Sequence, residues 1–456
     1  MGNAKPVLGL ADIIDRLDGE ARWSAGPLTV GIDCAGAFGD TATEDAAMAA
    51  TLRAISLWDD LIAIDLVIGP DAQIGIDFST ATTFGGTYTT SSYSGMADGH
   101  WLYDRADIAI NTSWTSQDDA EDFGLGARGA MTLLHEIGHA LGLDHPGAYN
   151  GSAGYDADAE YRQDTEQYTV MSYFRAGSDG SGASHVTADG FRYAATPLLH
   201  DIAAIQTIFG ADMATRTGNT VYGFGSNAGN EVFDFAANPD PVIAIWDAGG
   251  IDTLNASGFR SDQTINLRAG CYSSIGDLQK NVAIAYGATI ERAIGGRGDD
   301  KIIGNNADNR LWGGQGDDRL YGSSGTDRLY GNSGADYLNG GSGNDRLCGG
   351  GGNDRLFGGD GNDRLIGNSG KDWISGGAGN DRLIGGGGND TFLEGDGRDV
   401  ILGQAGYDTV RYAGSADDYH VKVRGNTAFV TELSSGDTDK LVGIEKLIFK
   451  GDVFDI

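Results

Sequence analysis

Three cysteines and seven prolines in 456 residues are few, and the scarcity of cysteine excludes a good deal. Cys34, Cys271 and Cys348 are odd in number and far apart, with no pair separated by two residues. Neither a disulfide framework nor a cysteine-built zinc cluster is encoded, so they read as free thiols. Positive charge is also short: 31 Lys and Arg against 65 Asp and Glu leave a formal net charge of −34. Such a chain repels phosphate, which argues against nucleic acid as a partner. Long apolar runs are missing too. The most apolar stretch, near Ile55 to Ile68, is broken by Asp59, Asp60 and Asp65, which excludes a membrane-spanning helix there. Met1 to Asp15 lacks the cationic opening and unbroken apolar core of an ordinary secretory signal.

What is present is concentrated in two places. The first is His135-Glu136-Ile137-Gly138-His139-Ala140-Leu141-Gly142-Leu143-Asp144-His145. Positions i and i+4 of a helix share a face, so His135 and His139 can offer ring nitrogens to one metal ion. Leu133, Leu134, Ile137 and Leu141 form the apolar stripe that would pin that helix to a core. Gly142 permits a conformation most residues resist, so the chain can leave the helix and swing His145 back as third ligand. Three histidines leave a position open, as in a catalytic zinc site. Glu136 stands where its carboxylate can take a proton from a metal-activated water and pass it to a leaving amine.

The extended motif resembles that of the metzincin peptidases. Val170-Met171-Ser172-Tyr173 looks like the Met-turn of that clan. The resemblance implies that Met171 is a hydrophobic base beneath the metal. It implies that Tyr173 can both ligate zinc and swing away to stabilise the transition state, as in the astacin and serralysin branches. His145-Pro146-Gly147, the segment Thr196 to Gln206 and Thr220-Val221-Tyr222-Gly223-Phe224 are similar to the serralysins, over about residues 22 to 410. His200, where that family has an acidic residue, and the three cysteines depart from the pattern. Neither departure touches the zinc ligands.

The second concentration is a nine-residue repeat. Asp300, Asp318, Asp327, Asp336, Asp345, Asp354, Asp363, Asp372, Asp381, Asp390, Asp399 and Asp408 follow it, with Asn309 the one break, and an apolar residue comes two positions after each. This is the Gly-Gly-x-Gly-x-Asp-x-apolar-x pattern of a calcium-binding parallel β-helix. Its first turn holds Gly295, Gly296, Gly298 and Asp300. Glycines permit the turn and turn its carbonyls to a cation, the aspartate adds a hard anionic oxygen, and the apolar residue points inward. The stretch Trp246 to Leu254, with Asp252, reads as an isolated calcium turn ahead of the array. Arg319, Arg328, Arg346, Arg355, Arg364 and Arg382, each directly after an aspartate of the series, and Arg310 after Asn309, point outward and read as solvated charge.

The expected fold is therefore an α/β (α+β) metzincin-type peptidase domain followed by an all-β calcium-binding parallel β-roll. The boundaries read as 1–21 for an N-terminal segment open to removal as a short propeptide, 22–216 for the peptidase domain, 217–292 for a β-rich connection, 293–412 for the repeats and 413–456 for a β cap. In the first domain helices are expected at Leu10 to Leu17, after a Thr41-x-x-Glu44 capping box up to Trp58, at 128–141, and from Thr196 to before Gly210. Strands are expected at Leu28 to Ile32, Ile62 to Ile68, Gln73 to Phe78, Thr87 to Ser91 and Ile108 to Asn111, with a substrate-pairing edge among Phe84 to Asp107.

These features imply one catalytic zinc, several structural calcium ions, protein or peptide substrates, and a monomer. Crowded carboxylates leave the second half unfolded until calcium neutralises them. The resemblance further implies export by a type I secretion machinery, with Asp452 to Ile456 resembling its C-terminal signals, an extracellular location, and a proteinaceous inhibitor as a further partner. The rival reading from another class is a calcium-dependent surface or adhesive protein with an inactive or latent peptidase-like half.

Overall fold

A computed structural model of the chain describes residues 5–79, 87–112, 120–149, 153–393 and 395–456. It resolves into two compact units, Met1–Gly250 with Ala269–Ala288, and Ile251–Arg268 with Thr289–Ile456.

The first unit is α/β. The elements that build its main sheet and position the cleft are α1 (Leu10–Leu17), β1 (Ala21–Arg22), β2 (Leu28–Asp33), α2 (Thr41–Asp59), β3 (Leu66–Ile68), β4 (Ile74–Ser79), β5 (Tyr88–Ala97), β6 (His100–Asn111), α3 (Arg128–Leu141) and α4 (Leu199–Phe209). The sheet order is β1-β6-β4-β2-β3, with β5 on the outer side of β6. All pairings are parallel except β5 with β6, so β5 is an antiparallel edge strand. Val30, Ile74, Ile76, Phe78, Ile108 and Ile110 are buried. In α2, Ala47, Ala50, Thr51, Ala54 and Trp58 recur at helical spacing and are buried. Trp58 donates from its indole N–H to Leu134 O at 3.1 Å, which ties α2 to α3.

Several expected boundaries move, each for a local reason. The N-cap of α2 is Asp40, whose Oδ1 accepts from Thr43 N at 2.9 Å, in place of the Thr41 capping box. Helix α2 runs through Asp59, so the strand expected from Ile62 shrinks to β3, and Ile62 makes only an isolated bridge to Ala211. The two strands expected at Thr87 to Ser91 and Ile108 to Asn111 belong to one long hairpin, β5–β6. Phe84 lies outside the described residues. Helix α4 begins at Leu199 and not Thr196, because Asp201 accepts from Leu198 N at 2.8 Å while Thr196 Oγ1 accepts from Ala244 N at 2.8 Å.

The N-terminal segment is built into this unit. Ile13 and Leu17 of α1 are buried. Gly19 N donates to Gly142 O at 3.0 Å, and Asp144 N to Leu17 O at 2.9 Å. A boundary after residue 21 falls inside β1, whose Ala21 and Arg22 pair with Trp101 and Leu102.

The second unit stacks short parallel strands in two sheets. Successive repeats alternate between them, so strand neighbours lie 18 residues apart: Arg310–Gln315 pairs with Arg328–Ser333, and Arg319–Ser324 with Tyr337–Ser342. Leu311, Leu329, Leu347, Leu365 and Leu383 form one inward column, and Leu320, Leu338, Leu356 and Ile374 face them from the other sheet, all at most 1% exposed. Antiparallel strands at Tyr419–Arg424, Thr427–Glu432 and Thr438–Val442 close one sheet, and a hairpin of Lys446–Phe449 with Asp452–Asp455 closes the other. Leu356→Ala would leave a hole in a column that has no other filler, and it should destabilise this unit by roughly 2–5 kcal/mol in chemical denaturation.

Candidate functional site

Helix α3 presents His135 and His139 one turn apart, and it ends at Gly142 with φ +110°. That left-handed C-cap lets Leu143 N reach back to Gly138 O at 2.9 Å and sends His145 toward the other two rings. The three Nε2 atoms stand 3.1 Å (His135–His139), 3.1 Å (His139–His145) and 3.3 Å (His145–His135) apart. A tetrahedral zinc with Zn–N bonds of about 2.0–2.1 Å needs ligand nitrogens about 3.3 Å apart, so the donor set fits zinc.

Their tautomers are held from behind. The Nδ1–H of His135 donates to Val170 O at 2.8 Å, and that of His139 to Leu143 O at 2.7 Å. Both bonds leave Nε2 with its lone pair toward the centre. Burial pushes His135 below its usual pKa. Burial and the neighbouring rings bring His139 to about 4 and His145 to about 3, so the rings stay neutral and ready to ligate.

Glu136 lies on the same turn. Its Oε2 accepts from Thr89 Oγ1 at 2.7 Å, across from edge strand β5. Burial raises its pKa, opposed by His139 and by the Thr89 hydroxyl. Met171 is fully buried beneath the helix. A Cβ at Gly138 would stand 2.8 Å from Met171 Sδ and 3.2 Å from Trp58, so a larger residue there would push the methionine from its place under α3. The Tyr173 ring packs 4.7 Å from that of His145 and 5.7 Å from that of His135. His135, Glu136, His139, His145, Tyr173, Thr89 and Tyr88 all border one cleft of about 540 Å³.

Thr89 escaped the sequence reading as a site residue, and so did a second group. Asp201, fully buried in the first turn of α4, accepts from Val170 N and Leu198 N at 2.8 Å each and from the Thr169 hydroxyl. It thereby fixes Val170, the residue whose carbonyl orients His135. An acid in the first turn of an apolar helix was the available signal. Its neighbour His200 stacks on Tyr168 at 5.0 Å, and burial depresses its pKa to about 3.

The repeat carboxylates form two rows. Asp300 N donates to Asp318 Oδ1, and the relay continues through Asp336, Asp354, Asp372 and Asp390 to Asp408 at 2.8–2.9 Å. The second row runs from Asn309 through Asp327, Asp345, Asp363 and Asp381 to Asp399. In Asp318, Asp327, Asp336, Asp345, Asp354, Asp363, Asp372, Asp381, Asp390 and Asp408 the second oxygen, Oδ2, is buried with no hydrogen-bond partner. A Cβ on Gly313, Gly331 or Gly349 would run into that oxygen. Orphaned anionic oxygens in glycine cradles fit calcium. One predicted position differs, since Asp300 Oδ2 accepts from Gly296 N; at the break in the series Asn309 closes on Asn305 through its own amide. Gly295 sits against the Asp300 carboxylate, Gly298 against Ser261 and Asp262, and Asp252 is fully buried.

Fold and site together define a chain of the metzincin kind, with three histidines on and after one helix, a methionine floor and an edge strand beside the cleft. The family described as Peptidase M10 serralysin C terminal matches residues 211–448, just over half of the sequence, and the chain belongs to the serralysin family. It is 42% identical over 270 residues to the serralysin of Proteus mirabilis, covering 55% of this chain and 52% of that one. The corresponding values are 42% over 260 residues, 55% and 52%, for serralysin G of Dickeya chrysanthemi. They are 48% over 180 residues, 39% and 37%, for metalloprotease AprA of Pseudomonas entomophila strain L48. The chain thus spans about half the length, or less, of these curated relatives.

Burial, with neighbouring carboxylates adding to it, raises Asp318 to about 8 and Asp327, Asp354 and Asp363 to about 7. In the unfolded chain these groups titrate near 3.9. Between those values the folded metal-free unit holds more protons than the unfolded one, so its stability is greatest at low pH and is lost as pH rises from about 4 through about 7–8. In chelator the melting temperature of this unit should fall from about pH 5 to about pH 8; a rise over that window would contradict the assignment.

Proposed function

We propose that the chain is a secreted, calcium-stabilised zinc endopeptidase acting on peptide bonds of extracellular proteins. The observation that carries this reading is the convergence of three neutral Nε2 atoms beside the Glu136 carboxylate in a cleft bordered by an open strand edge. His135, His139 and His145 would hold the zinc, with Tyr173 within reach as an alternate ligand. Zinc bound there supplies Lewis acidity, polarising the scissile carbonyl and bringing a water's pKa to about 7.

The chain's own residues then do the following. The outer edge of β5 pairs with an extended substrate by strand addition, which sets the scissile bond across the cleft. Glu136 accepts the proton of the attacking water and delivers it to the leaving amine. Its raised pKa suits both halves of that task, and the Thr89 hydroxyl fixes which oxygen faces the water. Tyr173 donates its phenol to the developing oxyanion. Asp201, through Val170, keeps His135 from turning.

Calcium belongs in the repeat turns, where each cation would meet the orphaned Oδ2 atoms. A unit that needs calcium to fold near neutral pH would cross a low-calcium cytosol unfolded and fold outside, which suits signal-peptide-independent export by a type I machinery. Among the described residues no helix is long and apolar enough to cross a membrane.

Two substitutions test the chemistry. Glu136→Ala should bind zinc as the parent does but lose casein hydrolysis by roughly 10²–10⁴-fold; an equally active variant would refute the mechanism and favour an inactive, adhesive role. Thr89→Val should lower kcat about tenfold at nearly unchanged KM, and Thr89→Ser should restore it, as expected for one hydrogen bond to a charged group.

A further inference from the structure

The arginines of the repeats do not scatter over the surface. Because alternate repeats share a sheet, Arg292, Arg310, Arg328, Arg346, Arg364 and Arg382 fall in register on six consecutive parallel strands. The opposite sheet has no such row: its equivalent positions run Lys301, Arg319, Tyr337, Arg355, Trp373 and Thr391. With strands about 4.8 Å apart, the six guanidinium groups form a line about 24 Å long.

That line is electrostatically unsatisfied. Like charges directly opposite on neighbouring strands repel. Among the described residues none of the six makes an ion pair, although arginines elsewhere in the chain do. Arg346, Arg364 and Arg382 are exposed. The carboxylates just before them, Asp345, Asp363 and Asp381, turn inward and are 1–3% exposed. The residues one further back, Asn344, Asn362 and Asn380, are uncharged.

A second row runs alongside, two residues on: Ile294, Trp312, Tyr330, Cys348, Ile366 and Ile384. Trp312 and Tyr330 are half-buried with their rings stacked at 5.6 Å and 14°, and the Arg310 guanidinium lies 5.9 Å from the Trp312 ring centre. Stacked on one another, these rings offer their edges and the apolar row its side chains to the C–H groups of a ligand, and a guanidinium takes a carboxylate through two parallel hydrogen bonds.

We propose that this face of the repeat unit binds a linear polyuronate, an acidic polysaccharide with one carboxylate per sugar ring. One sugar advances about as far as one strand of the sheet and neighbouring rings turn over along the chain, so alternate carboxylates can meet alternate arginines beside the apolar row. The net charge of −34 does not forbid this. Screening confines each charge's reach to about 8 Å at physiological salt, so a polyanion on this face meets the local row first. Binding here would hold the enzyme in an acidic polysaccharide matrix, independently of its catalytic cleft.

The test uses the whole calcium-loaded chain and an oligogalacturonate long enough to span six strands, titrated at physiological salt and followed by calorimetry. The parent should bind it, and binding should weaken steeply with added salt. The triple variant Arg346→Gln/Arg364→Gln/Arg382→Gln should lose roughly tenfold or more in affinity, for the charge-assisted contacts it removes, while Arg319→Gln/Arg355→Gln on the opposite sheet should bind as the parent. Circular dichroism checks the triple variant's fold, and the single exposed change Arg364→Glu, expected to weaken binding several-fold, decides the matter if the triple misfolds. No binding by the parent, equal binding by the triple variant or by Arg364→Glu, or tighter binding of single-stranded DNA or phosphatidylglycerol vesicles than of oligogalacturonate would overturn the proposal.

Discussion

Three imidazole lone pairs aimed at one point repel one another unless a cation stands there, and much of the first unit is arranged to keep them aimed. Backbone carbonyls at Val170 and Leu143 hold two of the rings from behind, and Asp201 holds Val170. Gly138 lets the helix rest on Met171, Gly142 lets the chain turn back, and Trp58 and Trp23 bind the helix to its neighbours through indole N–H bonds to Leu134 O and Ala140 O. A few degrees of ring rotation would spoil the donor set, which is why buried hydrogen bonds and not surface contacts fix it.

The second unit faces the same difficulty with the opposite sign. Two rows of buried carboxylates sit one above another; along the array each accepts through one oxygen from the backbone N–H eighteen residues before it, and in Asp318 through Asp390 and in Asp408 the other oxygen has no partner. The hydrophobic columns between the sheets supply attraction, but neighbouring anions oppose it until protons or divalent cations intervene. Both units thus read as protein frames built around charge that the chain itself does not carry. Under the proposed function that charge would serve chemistry in the first and folding in the second.

Much of this was legible in the sequence because it is local. The i, i+4 histidines, the helix at 128–141 and the left-handed Gly142 follow from spacing and from what glycine alone tolerates, and the nine-residue period announces stacked turns. What stayed hidden depends on partners far along the chain. Asp201 contacts backbone some thirty residues earlier. The β5–β6 hairpin is rich in Thr, Ser and Tyr and shows no clean alternation, since its outer strand is mostly exposed. The period of nine did not say that strand neighbours lie eighteen apart, and that doubling alone turns arginines that read as scattered solvated charge into a single row.

The most direct test of the account is zinc K-edge absorption spectroscopy on the purified chain. The account predicts one zinc with three nitrogen ligands at about 2.0–2.1 Å and one or two oxygens, and loss of that signature in His139→Ala. A spectrum dominated by oxygen ligands, or one unchanged by His139→Ala, would contradict it.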